Sequence, residues 1–178
     1  MRKIIIVLIA VAFIGVSSGA LADAVVKGSY DLSGTAKSDS TESDTDTGWS
    51  AAVEYYYPVI KFLQIGGGAE YQFPRSGKDI TGKFNFVPVY GAVRVVVPIP
   101  PVKPYAVGRI GYSFLFGDDD FKGGKDLKGG ITYGFGAGVI LFKFVLVEGQ
   151  YSVNQGAVGS TDFSYSKISV SAGLNVGF

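Results

Sequence analysis

The chain has 178 residues, with 26 Gly, 13 Phe and 11 Tyr but neither Cys nor His. Its formal net charge is +1, so it lacks the basic excess that nucleic-acid-binding proteins carry. The absence of Cys excludes disulfides and thiol chemistry. This composition favours one all-β domain rich in strands and turns.

The first 22 residues have the features of a secretory signal peptide. Two basic residues precede an apolar run from Ile4 to Val16, and a small-residue site, Ala20-Leu21-Ala22, follows. An uncleaved anchor is the alternative, but the run is shorter than the roughly 20 residues of a spanning helix. We therefore predict Sec-type export, a signal peptide over 1–22 and a mature domain over 23–178. In that domain 14 basic side chains face 15 acidic ones.

After the signal peptide the dominant hydrophobic period is two, the period of a β-strand. At the C-terminus polar or small residues alternate with Ile168, Val170, Ala172, Leu174, Val176 and Phe178. This segment is long enough for a tilted transmembrane strand, which needs roughly 9 to 11 residues. Similar alternation predicts seven further strands, over 26–36, 49–57, 63–73, 84–97, 106–116, 131–139 and 145–153.

The predicted strand over 84–97 is irregular. Phe84 and Phe86 share one parity, whereas Val89 and the valines after it share the other, and Pro88 lacks an N–H for the ladder. We expect a β-bulge near Val87 and Pro88 to reconcile the two halves.

The connectors differ in length and polarity. Long polar connectors are expected over 37–47, 74–83, 117–129 and 154–162, and shorter ones over 58–62, 98–103 and 142–144. Together these features predict an up-and-down meander of eight antiparallel strands, with short periplasmic turns, long extracellular loops and both mature termini on the periplasmic side.

Two features favour a barrel in lipid over a periplasmic sandwich or a lipocalin-like barrel. Full charges occur in mid-strand on the polar face, which a dry core would rarely hold. Aromatic residues lie near strand ends and suit two interfacial girdles. We expect one girdle to contain Trp49, Phe73, Phe84, Phe116, Tyr133 and Phe163, and the other Tyr55, Tyr57, Tyr105, Phe142, Phe144 and Phe178.

Short motifs add a resemblance. The segment Pro104 to Tyr112, PYAVGRIGY, resembles a strand of the OmpA-like and opacity-protein family, and Gly134 to Val139, GFGAGV, resembles the family's next Gly-rich strand. Phe178 resembles the terminal residue that the outer-membrane assembly machinery reads. The resemblance implies a transmembrane β-barrel in the bacterial outer membrane, whose family members range from structural anchors to adhesins.

Eight charged residues fall on the polar face of the predicted strands: Lys27, Asp31, Glu54, Glu70, Arg94, Arg109, Glu148 and Lys167. We expect them to form a salt-bridged network that fills a narrow lumen, in which Glu54 and Glu148 compensate Arg94 and Arg109. Ion translocation or a catalytic carboxylate is the alternative interpretation.

Other chemistry has little support in the sequence. The chain has no His to act as a general base near neutral pH, and no Ser lies in a recognisable nucleophile motif. Asp44-x-Asp46-x-Gly48 lacks the spacing and the terminal Glu of a calcium loop, so this segment and the acidic run that begins at Asp118 are expected to be solvated, mobile loops. We expect no enzyme activity, metal or cofactor.

The sequence therefore predicts a non-enzymatic outer-membrane protein with a structural or adhesin-like role. Its expected partners are outer-membrane lipids, the assembly machinery and an extracellular ligand of the polar loops, with no nucleic acid. A small passive pore or channel for small or hydrophobic solutes is the alternative.

Overall fold

A computed structural model describes residues 22–38, 41–77 and 80–177. The signal peptide predicted over 1–22, apart from Ala22, and the terminal Phe178 lie outside these residues. Within the described ranges, no helix has both the length and the hydropathy needed to cross a membrane.

The described residues form ten strands and one short helix. The helix, α1, comprises Asp119–Lys122. The strands are β1 (Asp23–Ser38), β2 (Thr41–Thr45), β3 (Gly48–Ile60), β4 (Leu63–Gln72), β5 (Arg75–Gly77), β6 (Ile80–Val96), β7 (Val102–Gly117), β8 (Leu127–Leu141), β9 (Val145–Val158) and β10 (Thr161–Gly177).

Eight long strands close into a ring. Each pairs antiparallel with its neighbours in the order β1, β3, β4, β6, β7, β8, β9, β10, and β10 returns to β1 from Asp23 opposite Gly177 to Ser38 opposite Phe163. The short strands β2 and β5 extend the sheet beyond one end of the ring. The predicted eight-stranded meander is confirmed, and closure leaves no unpaired sheet edge in the bilayer.

Side chains alternate between an apolar exterior and a polar interior. Ile110 is 68% exposed and Phe135 65%, whereas Arg94 and Lys167 are each 1% exposed. A soluble sandwich or lipocalin-like barrel would have its apolar face inside. The observed arrangement is the inverse, and it suits a barrel surrounded by lipid.

The connectors contain more regular secondary structure than the sequence predicts. Residues 154–162 do not form a long loop, because β9 and β10 continue to Val158 and from Thr161 and leave only a tight turn. The other three long connectors contain β2, β5 and α1. The sequence interpretation took these polar residues as loops. They lie in strands because the sheet extends beyond its lipid-facing part, where the outer face is in contact with water.

The prediction of a β-bulge near Val87 and Pro88 is wrong. β6 pairs with β7 without a register shift from Phe84 to Val96, so Phe84 and Phe86 face inward like Arg94. Pro88 fits because the ladder between β6 and β4 ends at Val89.

The predicted girdles need a related correction. Phe84, Phe163 and Tyr105 are at most 4% exposed and face the lumen. Tyr55 is half-buried, and Phe178 lies outside the described residues. The members that are exposed on the outside are Trp49, Phe73, Phe116 and Tyr133 toward the long connectors, and Tyr57, Phe142 and Phe144 toward the short turns.

Candidate functional site: the ion-paired lumen

The lumen contains the eight charged residues singled out from the sequence. All eight are buried, with exposed fractions from 1% to 7%. They lie at inward-facing positions of seven of the eight ring strands, and β8 contributes none of them. Two further charged residues, Arg75 and Asp23, join them and were not predicted.

The first cluster, which we call the central cluster, contains two cations and two carboxylates. Lys27 Nζ lies 3.0 Å from Glu54 Oε1 and 2.8 Å from Glu148 Oε1. Arg109 donates through Nε to Glu54 Oε1 at 2.9 Å and through Nη2 to Glu148 Oε2 at 2.9 Å. The four charges therefore sum to zero, which limits the cost of burying them.

Three tyrosines complete the hydrogen bonding of the central cluster. Tyr56 and Tyr90 donate to Glu54 at 3.0 and 2.7 Å, and Tyr105 donates to Glu148 at 2.9 Å. Each carboxylate thus receives bonds from two cations and at least one phenol. Buried charges persist when they are both paired and hydrogen-bonded.

The second cluster, which we call the outer cluster, lies nearer the end of the ring that carries β2, β5 and α1, which the connector lengths predict to be the extracellular end. Lys167 Nζ contacts Glu70 Oε1 at 2.6 Å and Asp31 Oδ1 at 3.0 Å, and it donates to Ser50 at 3.1 Å. Arg75 Nη1 lies 2.7 Å from Asp31 Oδ2. This cluster is also neutral, but only because Arg75 reaches in from the short strand β5.

Arg94 lies at the periplasmic end and does not share Glu54 or Glu148 as expected. Its guanidinium contacts Asp23 Oδ2 at 2.9 Å and donates to Gln64 at 2.6 Å. It also stacks over the ring of Tyr56, 3.9 Å from the ring centroid. Lys27 occupies the position beside the two glutamates that the sequence interpretation gave to Arg94.

An aromatic cluster closes the extracellular end of the lumen. Phe84 and Phe86 pack against Phe163 and Tyr165, with ring centroids 5.1 to 6.3 Å apart. Phe121 of α1 covers them and stacks on Phe84 at 5.4 Å. Arg75 joins this cluster to the outer cluster by donating to Tyr165 at 2.6 Å.

Helix α1 is held above the aromatic cluster by Asp118, so the acidic run is not simply a solvated loop. Asp118 caps the helix by accepting from the N–H of Phe121 at 2.9 Å, and it accepts from the N–H of Lys83 at 2.9 Å. The first residues of β6 are thereby tied to the connector after β7.

Little free space separates the two charge clusters. The cavity between them has a volume of about 10 Å³, room for a single water molecule. Ser152 Oγ, Asn154 Nδ2 and Arg109 Nη1 belong to residues that line it, and these atoms have no protein partner among the described residues. The site is polar enough for one bridging water, and too small for a solute.

Ion pairing restricts the chemistry of the lumen carboxylates. Cations engage all four carboxylates of the two clusters. Among the described residues no three Asp or Glu side chains are grouped so that they could hold a metal ion. A paired carboxylate is a weak proton acceptor, so the geometry provides no evident general base.

No family model matches the sequence, and no curated protein matches it significantly. The structure is similar to that of Neisserial surface protein A, at 20% identity and a TM-score of 0.58, covering 88% of this chain and 99% of that one. It is also similar to Ail, the attachment invasion locus protein of Yersinia pestis, at 14% identity and a TM-score of 0.56, covering 89% and 100%.

A third similar structure is the outer membrane enzyme PagL, at 12% identity and a TM-score of 0.51, covering 83% of this chain and 97% of that one. At these identities the similarity establishes the fold alone. The fold is that of the small outer-membrane β-barrels, in agreement with the resemblance to the OmpA-like and opacity-protein family, and the apolar exterior fits the same membrane location.

Proposed function

We propose that this protein is a non-enzymatic structural and surface-interaction barrel whose lumen is closed to solutes. The observation that carries the proposal is the filling of the lumen. The central, outer and aromatic clusters lie in series, and the cavity between the two charged clusters has room for about one water molecule. A continuous aqueous path would require breaking buried ion pairs.

The surface role would belong to the extracellular connectors. Exposed acidic side chains concentrate there: Glu42, Asp44, Asp46, Asp118, Asp119, Asp120, Asp126 and Asp162. A ligand with a basic surface would be electrostatically complementary to this end. Ail has been solved with the heparin analogue sucrose octasulfate, which is a polyanion. We propose the opposite charge preference for this chain.

Catalysis is the competing function, because the structurally similar barrel PagL is an enzyme. This chain has no His, and its central carboxylates are held by Lys27 and Arg109. These features support a non-enzymatic role, because a general base must be free to accept a proton near neutral pH.

Conductance recordings on reconstituted protein test closure of the lumen. The parent should give almost no steady current. A variant with Phe84, Phe86 and Phe163 replaced by Ala removes the aromatic cluster and serves as the comparison. Steady ohmic conductance of the parent would overturn the closed-lumen proposal and favour the passive pore.

Binding of whole cells to host cells or envelope components tests the surface role. Deleting residues 37–42 shortens the β1–β2 hairpin and joins Ala36 to Ser43, which lie opposite each other, without removing a charged residue of the lumen clusters, and neutralising Asp119 and Asp120 reduces the charge of α1. We expect both changes to reduce binding to basic ligands. Binding equal to that of the parent for both variants would refute a role of these connectors.

Export and assembly are part of the same proposal. We propose removal of residues 1–22 and recognition of Phe178 by the assembly machinery. Replacing Phe178 by Asp should lower the outer-membrane level of the protein, whereas Leu146→Asp, a lumen change, should reduce stability after insertion. Normal levels of the Phe178 variant would contradict this part.

A further inference from the structure

The periplasmic mouth of the barrel, defined by the three short turns, carries one lysine in or next to each turn. Lys61 lies between β3 and β4, Lys103 near the start of β7, and Lys143 between β8 and β9. All three line a single cavity of about 450 Å³. Gln64 and Asn175 also line this cavity and separate it from the buried guanidinium of Arg94.

The carboxylates of the described residues do not pair with these three positive charges at the mouth. Across the described residues, no carboxylate lies within 4.0 Å of Lys61, Lys103 or Lys143. Among the described residues that line the cavity, one is acidic, Asp23. Its Oδ2 atom already pairs with Arg94 at 2.9 Å. The side chains at this end therefore carry an excess of three positive charges.

The extracellular end differs in charge. Acidic side chains outnumber lysines there, and Lys37 has a carboxylate partner in Glu42 at 2.8 Å. Among the described residues, the periplasmic mouth therefore differs from the extracellular end in having more basic than acidic side chains. Convergent like charges raise the local concentration of anions.

The turn that contains Lys143 is built at a conformational cost. Phe142 and Lys143 have positive φ angles of 53° and 75°, and the N–H of Phe144 bonds the carbonyl of Leu141 at 3.1 Å. Such two-residue turns usually contain Asn and Gly. Here the flanking Phe142 and Phe144 are exposed on the outside, and the turn holds Lys143 at the rim.

We propose that the periplasmic mouth is a binding site for a phosphate-bearing anion, held by Lys61, Lys103 and Lys143. Lysines are point charges that bind phosphate without a fixed fork geometry, so three of them from separate turns can surround one multivalent group. The cavity volume falls within the range of small-molecule sites. The phosphate comes from a soluble periplasmic compound or from an anionic headgroup of the inner leaflet.

The test compares two triple variants of the full barrel. One is Lys61→Gln with Lys103→Gln and Lys143→Gln. The control, Lys83→Gln with Lys125→Gln and Lys128→Gln, removes the same charge from exposed positions at the extracellular end. Heat-resistant gel migration checks that both are folded. Inorganic pyrophosphate is titrated by calorimetry in zwitterionic detergent, and phosphatidylglycerol retention is measured by native mass spectrometry against phosphatidylcholine.

We expect saturable binding of at least one probe by the parent, weakened about tenfold or more in the mouth variant, unchanged in the control and reduced at high salt. Pyrophosphate binding identifies a soluble ligand, and binding of phosphatidylglycerol alone identifies a lipid headgroup. Absence of saturable binding of both probes, or equal weakening in both variants, would overturn the proposal. Closure of the lumen does not depend on either outcome.

Discussion

Arg109 donates a single amino group, Nη2, to both carboxylate oxygens of Glu148, at 3.0 and 2.9 Å across the lumen. Its Nε meanwhile binds Glu54, so one guanidinium bridges two carboxylates on different strands. Lys27 bridges the same two carboxylates. The central cluster is therefore balanced as a unit of four charges, and losing one carboxylate leaves two cations sharing the other.

Glu148→Gln should strongly destabilise the folded barrel. The substitution preserves size but leaves one buried positive charge uncompensated, which costs about 3 to 5 kcal/mol in comparable cases. The measurement is the temperature at which the folded band is lost on gels, which should be lower for the variant than for the parent. Adding Arg109→Gln should recover part of the loss, because the remaining Lys27 and Glu54 again balance.

Glu42→Gln is the matched control for this series. Glu42 pairs with Lys37 at 2.8 Å, but both side chains are more than half exposed. Solvent screens such pairs, so this change should leave thermal unfolding unaltered. If Glu148→Gln behaves like Glu42→Gln, the central cluster does not stabilise the barrel.

Hydrophobic alternation was sufficient to predict the eight ring strands and the inward position of eight charged residues. The prediction succeeded because one face of each strand contacts lipid and the other contacts the charged lumen. Apolar and polar residues therefore alternate clearly from Ile168 to Val176. The same rule failed at Phe84 and Phe86, because near the extracellular end the interior is also apolar. Alternation of apolar residues does not identify the lipid-facing side of a strand where the interior is apolar as well.

The partners inside the lumen could not be read from the sequence. Arg75 lies in a polar connector between Pro74 and Ser76, and nothing in that segment signals that β5 directs it inward. The Asp23–Arg94 pair depends on closure of the ring, which places β1 beside strands distant in sequence. Of the eight predicted charges, the outer cluster contains Lys167, Asp31 and Glu70, and the surplus negative charge that Arg75 balances is evident only once the structure groups them.

Trypsin added to intact cells should cut after Lys125, which is exposed in the connector between α1 and β8. The periplasmic lysines Lys61 and Lys143 should be spared, because the outer membrane excludes the protease. Mass spectrometry of the released fragments identifies the site. Cleavage confined to Lys61 and Lys143 in intact cells would invert the topology.

Phe86→Ala should lower the free energy of unfolding by about 3 to 5 kcal/mol, since Phe86 is fully buried in the aromatic cluster and its removal leaves a cavity. Phe114→Ala is the comparison, because Phe114 is 48% exposed on the lipid-facing side and lipid can fill the space. Thermal unfolding of both variants measures the difference. Equal losses would place Phe86 outside the core.

The register of β6 can be tested at two adjacent residues. Val96 donates its N–H to Phe62 on the β4 side, and Val97 donates to Pro104 on the β7 side. Because N–H directions alternate along a strand, and no register shift interrupts β6, the nitrogen of Pro88 points toward β4 and the N–H of Val89 points toward β7.

Pro88 therefore lacks an N–H on the side where the ladder with β4 has ended, whereas Val89 lies opposite Tyr112 in a continuous ladder. Pro88→Ala should change stability by no more than about 1 kcal/mol. Val89→Pro should remove a ladder bond and cost about 3 kcal/mol or more, the penalty of Pro inside regular structure. The stability of the two variants is compared by the temperature at which each loses its heat-resistant migration on gels. Similar stability of both, or greater damage from Pro88→Ala, would mean that a bulge does separate the two halves of β6.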